Sequence, residues 1–238
     1  MNSQIEAPFS SQKKQEVRQK LATVLKTQKE DLDKRVESNK LYAKMMTEKI
    51  LKEIKKEMNE EQEKLDNPEE FYVKPESQFF VAIQLRSQVN IAPRPKKTLS
   101  LLRLKQINNC VILRNNLSIK NMLQNAKDYI AFGTISYELL RKLVYLRGYG
   151  KINGNKVKLT NENIESHFEG RFKCIEELCD VIFHGKPELR DVLRFLCPFK
   201  LNPPRGGFLN GHKKRSFVQG GSTNDHKELL GNLLERMI

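Results

Sequence analysis

The sequence predicts an α+β fold, a compact region of alternating strands and helices preceded by a long N-terminal helix, and two observations carry that prediction. Between Pro8 and Pro68 there is neither proline nor glycine, and the first glycine of the chain is Gly133, so residues 10–65 meet no helix breaker. Beyond residue 70, runs of β-branched and aromatic residues alternate with stretches of helical apolar spacing, each bounded by turn signals.

In the first segment Val17, Leu21, Leu25, Leu32, Val36, Met46, Ile50, Ile54 and Met58 recur mostly four or seven residues apart, with charged residues between them. The stripe is narrow. A helix of this length reaches about 80 Å at ~1.5 Å per residue, further than a small domain is wide. Residues 1–70 are therefore expected to form an extended, mostly helical arm, and residues 71–238 the compact domain.

Within the compact part "QFFVAIQL" (78–85) reads as a buried strand. "LSLLRLKQI" (99–107) follows as a helix after the breaker-rich "APRPKK", and "NCVILRN" (109–115) is a second strand. "SIKNMLQNAKDYI" (118–130) is a helix with Ser118 as its cap, and a third short strand lies around Ala131, which gives the order β-α-β-α-β. "SYELLRKLVYLRG" is a helix capped by Ser136 and stopped at Gly148. In "GYGKINGNKVKLT" the glycines permit positive φ, Asn153-Gly154 is a turn signal, and Val157 and Leu159 alternate with lysines, so a basic β-hairpin is expected. Helices follow after Thr160 or Asn161, at 174–184 and at 187–196. A Pro-, Gly- and cation-rich stretch (198–221) leads to a terminal helix, Asp225 to Met237.

Charge narrows the partners. The chain has 43 Lys and Arg against 29 Asp and Glu, a net charge of +14. Residues 1–70 hold fifteen of each sign, and their acidic end opposes only Lys64 to the seven carboxylates from Glu57 to Glu70. The whole excess therefore sits in 71–238, with 28 cations against 14 anions. Such an imbalance favours polyanions, nucleic acid or an anionic membrane surface. No apolar run is long enough to span a bilayer and the first residues lack the apolar centre of a signal peptide, so an intracellular, soluble protein without membrane partner is expected. Cys110, Cys174, Cys179 and Cys197 are expected to remain thiols.

The segments "FYVKPESQFFVAIQLR", "LSLLRLKQINNCVILRNN", "IAFG", "RGYGKI", "PFKLNPPRGG" and "FVQGG", in this order, resemble the large-subunit ribosomal protein family numbered seven in eukaryotes and thirty in bacteria. The resemblance covers about residues 71–238, and the long extension resembles the eukaryotic form. It implies a small antiparallel sheet of β-α-β-α-β type with added C-terminal helices and basic loops. It also implies a structural place on large-subunit ribosomal RNA in the cytosolic ribosome, with assembly in the nucleus or nucleolus, and no catalysis, cofactor or small-molecule substrate. Neighbouring ribosomal proteins are expected partners of the arm, whose acidic end departs from the basic arm usual in the family. Cys197 stands where the family usually has tryptophan.

Counterion release makes clustered cations the expected RNA contacts: Arg94, Lys96 and Lys97; Arg103, Lys105 and Arg114; Arg141 and Arg147; Lys151 and Lys156; Arg205; and Lys213, Lys214 and Arg215. Gly148, Gly150, Gly206 and Gly207 are read as letting backbone approach the sugar-phosphate chain, and Gly148 equally as a helix cap. Tyr145, Tyr149, Phe208 and Phe217 are candidate base-stacking rings, though aromatics so spaced are more often core. Cys174, Cys179, His184 and Cys197 lack the paired spacing of a zinc knuckle, and Glu176, Glu177 and Asp180 read as a wet helix face rather than a catalytic cluster. Two other functions stay open at this level: an assembly factor of the same family that binds precursor RNA, and a helical zipper on a DNA-binding or adaptor protein. For the zipper Leu25, Leu32, Asn39 and Met46 keep a seven-residue register that Glu53 ends.

Overall fold

The structure, a computed structural model, describes residues 11–66, 72–73, 75–208 and 211–238. The chain divides into two units, Met1–Met45 and Met46–Ile238. Helix α1 spans Ser11–Asp66, as the breaker-free composition predicts. In the first unit its leucines Leu21, Leu25 and Leu32 stay more than half exposed. The second unit begins inside the helix because Ile50 and Ile54 are buried in its core, with Met46 and Leu51 packed around them. Burying such a side chain contributes about 1.5–3 kcal/mol. Residues 46–66, which charge groups with the arm, thus belong to the compact unit.

Strands β1 (Phe79–Gln84), β2 (Asn109–Arg114) and β3 (Ile130–Gly133) alternate with helices α2 (Pro93–Leu101) and α3 (Leu117–Ala126) in the expected order. β1 is central and antiparallel to both neighbours, with Val81 opposite Ile112 on one side and Gly133 on the other. Its near-continuous apolar run follows from helices covering both faces. Val81 and Ile83 join Cys110, Ile112 and Ala131 in one core, whereas Ala82 joins Val111, Leu113, Ile130 and Phe132 in the other. Leu99 of α2 and Leu102 at its end, with Leu123 and Ala126 of α3, close the second core. The first, larger core is closed by helices α4 (Tyr137–Arg147), α5 (Asn161–His167), α6 (Ile175–His184), α7 (Leu189–Phe195) and α8 (Leu230–Met237).

Four expectations are corrected. Helix α2 runs Pro93–Leu101 rather than over 99–107: it starts on the prolines, because a proline in the first helical turn lacks only an N–H that would be unpaired there, and it stops before residues 102–107. Asn116, not Ser118, occupies the N-cap position of α3. The sheet is mixed rather than wholly antiparallel: its order is β6-β2-β1-β3-β7, with β6 (Phe199–Lys200) antiparallel to β2 and β7 (Asn224–Lys227) parallel to β3. The last helix consequently begins at Leu230, after β7, instead of at Asp225. The other elements form where the residues place them. β4 (Tyr149–Ile152) and β5 (Asn155–Lys158) make the hairpin, with Asn153 and Gly154 both at positive φ in its turn. The hydroxyls of Ser136 and Thr160 cap α4 and α5.

Candidate nucleic-acid interface

β6 pairs only with Asn109 and Cys110, so the remainder of that edge of β2 borders an open groove of about 950 Å³. The loop between α2 and β2 supplies Arg103, Lys105 and Gln106, β2 supplies Arg114, and the start of α3 supplies Asn116 and Ile119. β4 brings Lys151, and α7 with its following turn brings Arg190, Leu193, Arg194, Leu196, Cys197 and Pro198. Among the described residues the lining thus carries six cationic side chains and no carboxylate. Anions are attracted to such a concavity because its apolar walls limit screening by water.

Two internal devices hold this arrangement. Arg103 Nη1 donates to the Leu196 carbonyl at 3.0 Å and Nη2 to the Leu193 carbonyl at 2.9 Å. Its charge thus sits on the carbonyl end of α7, where unpaired acceptors and the helix dipole favour a cation. The hairpin is joined to the same turn by a hydrogen bond from Cys197 N to Tyr149 O at 2.9 Å. Gly150 allows this approach: a Cβ there would lie 2.3 Å from the ring of Phe195, itself buried beside Phe168. Arg190 and Arg194, four residues apart on α7, are left exposed.

Of the residues singled out from sequence, the groove gathers Arg103, Lys105, Arg114 and Lys151, and it adds Arg190 and Arg194. Nothing in sequence distinguished these last two from ordinary solvated helix charges. Arg94, Lys96 and Lys97 are exposed on α2 outside the lining. Lys156 stands 4.1 Å from the centroid of the Tyr149 ring. Two arginines serve the fold: Arg141 Nε donates to Glu176 at 2.6 Å, and Arg147 Nη2 donates to Ile238 O at 2.5 Å. Gly148 has φ of −74°, so positive φ is not why glycine stands there; a Cβ would fall 2.1 Å from Val144 O. Gly206 and Gly207 do lie in the left-handed region and are exposed. Their loop is tied to α8 by Arg205 N to Arg236 O at 2.9 Å and by Arg236 Nη2 to Gly207 O at 2.6 Å. Lys213 sits 5.0 Å from the Phe208 ring and burial draws its pKa down, whereas Lys214 and Arg215 are exposed.

The acidic side of α6 is not the wet face expected. Glu176 is fully buried and accepts from Arg141, from Tyr145 Oη at 2.7 Å and from Tyr137 Oη at 3.3 Å. Burial, before any neighbour, pushes both tyrosine pKa values up. Glu177 completes the cap of α6 through the Lys173 and Cys174 amides. Asp180 is also buried; that opposes its charge, but hydrogen bonds from His184 and Lys186 hold its pKa below the ordinary value. His184 Nδ1 lies 2.7 Å from Asp180, and Nε2 lies 3.3 Å from Glu57 of α1. The four cysteines are free thiols, and burial pushes Cys174 up to about 11 and Cys110 and Cys179 higher still. Among the described residues no group of His, Cys, Asp and Glu is placed to hold a metal ion, and no helix is long and apolar enough to cross a membrane. Of the candidate stacking rings, Tyr145 bonds Glu176, and Phe217 packs 4.2 Å from the His226 ring.

Comparison with known proteins matches the sequence to one family. The family described as Ribosomal protein L30p/L7e matches residues 80–130, which span β1 to the start of β3. The large ribosomal subunit protein uL30 of Encephalitozoon cuniculi is 47% identical over 236 residues, covering 98% of each chain. The proteins of the same name from Dictyostelium discoideum and Caenorhabditis elegans are 37% and 34% identical, covering 70% and 71% of this chain and 68% and 69% of theirs. With a relative so similar along nearly its whole length, and with the sheet that the matched residues build, the chain belongs to the eukaryotic uL30 family of large ribosomal subunit proteins.

Proposed function

We propose that this protein is a structural constituent of the cytosolic large ribosomal subunit, and that the groove beside β2 holds ribosomal RNA backbone. The observation that carries the second half is the lining, which among the described residues holds six cations and no carboxylate. Cations at that density displace condensed counterions from phosphate, which gives affinity without sequence reading. Three of its arginines come from α7 and the loop that caps it, so the concavity is preorganised rather than formed on binding. The role is structural, not catalytic: the buried carboxylates Glu176 and Asp180 are engaged by protein donors instead of facing the groove. Relatives named as subunit proteins favour a resident constituent over a departing assembly factor. Neighbouring ribosomal proteins are the second class of partner, with the acidic end of α1 offered to basic ones, and assembly onto the subunit takes place in the nucleus or nucleolus.

The test is Arg190→Ala with Arg194→Ala, two exposed side chains whose loss leaves the core intact. Against large-subunit ribosomal RNA the slope of log K on log salt falls in magnitude by about 1.4–1.8, at ~0.7–0.9 per phosphate contact. An unchanged slope removes the groove from the interface.

A further inference from the structure

Val218 is 88% exposed, more than any other large apolar side chain among the described residues, and its setting is built rather than slack. Residues Phe217–Gln219 form a single 3-10 turn. Phe217 N donates to Thr223 O at 2.7 Å, Gly221 N to Ser216 O at 2.9 Å, and Thr223 Oγ1 to Arg215 O at 2.9 Å. A Cβ on Gly221 would lie 2.0 Å from Arg215 O, so the two arms of the loop touch. Beneath the tip, the Phe217 ring lies 4.2 Å from that of His226, which is buried. An apolar side chain is therefore presented to the outside on a fixed support.

The charge around it says what covers it. Residues 192–224 contain no Asp or Glu, and Lys214 and Arg215, just before the tip, are exposed. A polyanion with an apolar surface between its phosphates fits both facts. Double-helical RNA has one: its minor groove is wide and shallow and lined by riboses and 2′-hydroxyls, whereas its major groove is too narrow to enter.

We propose that Val218 and Gln219 form a second RNA contact, separate from the groove beside β2, that seats in the minor groove of double-helical RNA. The Val218 methyls lie on ribose, the Gln219 amide bonds a 2′-hydroxyl, and Lys214 and Arg215 reach the flanking phosphates. This inference rests on the RNA-binding reading above and adds the form of RNA read and the residues that read it.

The test uses the full chain with an RNA duplex, a DNA duplex of the same sequence, and two double variants, Val218→Ser/Gln219→Ala and Arg190→Ala/Arg194→Ala. The tip variant is expected to bind duplex RNA about tenfold more weakly, the scale of burying one valine, with the salt slope unchanged and the preference for RNA over DNA lost. The groove variant is expected to lose slope and keep the preference. A tip variant that binds both duplexes as the wild type does, beside a groove variant that loses slope, overturns this inference and leaves the function standing. The same normal binding joined to poor incorporation into large subunits places the tip against protein and also overturns it. A wild type that binds no RNA overturns the inference and the function together.

Discussion

Replacing Glu176 by alanine tests how α4 is held against α6. The carboxylate is fully buried and satisfies Arg141 and two tyrosine hydroxyls, so its removal strands three donors at once. Breaking a buried ion pair by deleting one partner costs about 3–5 kcal/mol. The Arg141 side chain is 34% exposed and Tyr145 is 49% exposed, so water recovers part of their share and about 2–4 kcal/mol remains. In urea, with a slope of about 2 kcal/mol per M for a domain of this size, the unfolding midpoint falls by about 1–2 M. Glu176→Gln keeps the shape and an acceptor but loses the charge, and its midpoint falls by about 0.5 M. The assay is equilibrium urea unfolding followed by circular dichroism. An alanine variant within about 0.2 M of the wild type, on the same slope, refutes the reasoning, because it means that Arg141 and the tyrosines find equivalent partners elsewhere.

Gly150→Ala places a methyl in the Phe195 ring, and overpacking of this kind costs about 1–3 kcal/mol. Urea unfolding reads that cost directly, and RNA affinity falls with it because Phe195 carries α7; full stability in the variant denies the tight approach of hairpin to helix. The link between α1 and α6 titrates. The hydrogen bond to Asp180, before the one to Glu57, raises the His184 pKa above its ordinary 6.5. The stabilisation is complete below the unfolded value and is lost as pH rises through the folded one. Asp180, held low, bounds the link on the acid side, where it fails only as pH drops through its own depressed pKa. Hydrogen exchange of residues 46–66, corrected for intrinsic rates, is therefore faster at alkaline than at mildly acidic pH. His184→Gln removes the difference, and equal pH dependence in the two proteins contradicts the assignment.

What the sequence made legible follows from which forces act locally. Strands β1 to β3 announced themselves because a sheet covered on both faces needs unbroken β-branched and aromatic runs, and the hairpin because Asn153-Gly154 suits its turn. β7 reads Asn-Asp-His-Lys, with no apolar pattern; it is a strand only because Gly133 lets its backbone lie beside β3. The cations of the groove were partly visible for the same reason. Cationic composition pointed to polyanions, but which cations meet one another depends on tertiary neighbours. Arg141 and Arg103 look alike in sequence to Arg114, yet the first is drawn to a buried carboxylate and the second to helix carbonyls. Arg190 and Arg194 carry no local mark that sets them apart from solvated helix charges, and only the packing of α7 puts them on the groove wall. Glu176 reads as one too, because an acidic residue on an amphipathic helix carries no local mark of burial.

The most direct measurement of the central claim is the molar ratio of a tagged copy to large ribosomal subunits and to translating polysomes on a high-salt gradient. A structural constituent gives a ratio near one in both fractions, and the Arg190→Ala/Arg194→Ala variant competes poorly with the untagged protein for that place. Residence confined to precursor particles contradicts the claim in favour of an assembly factor, and absence from every ribosomal fraction contradicts the RNA-scaffold account altogether.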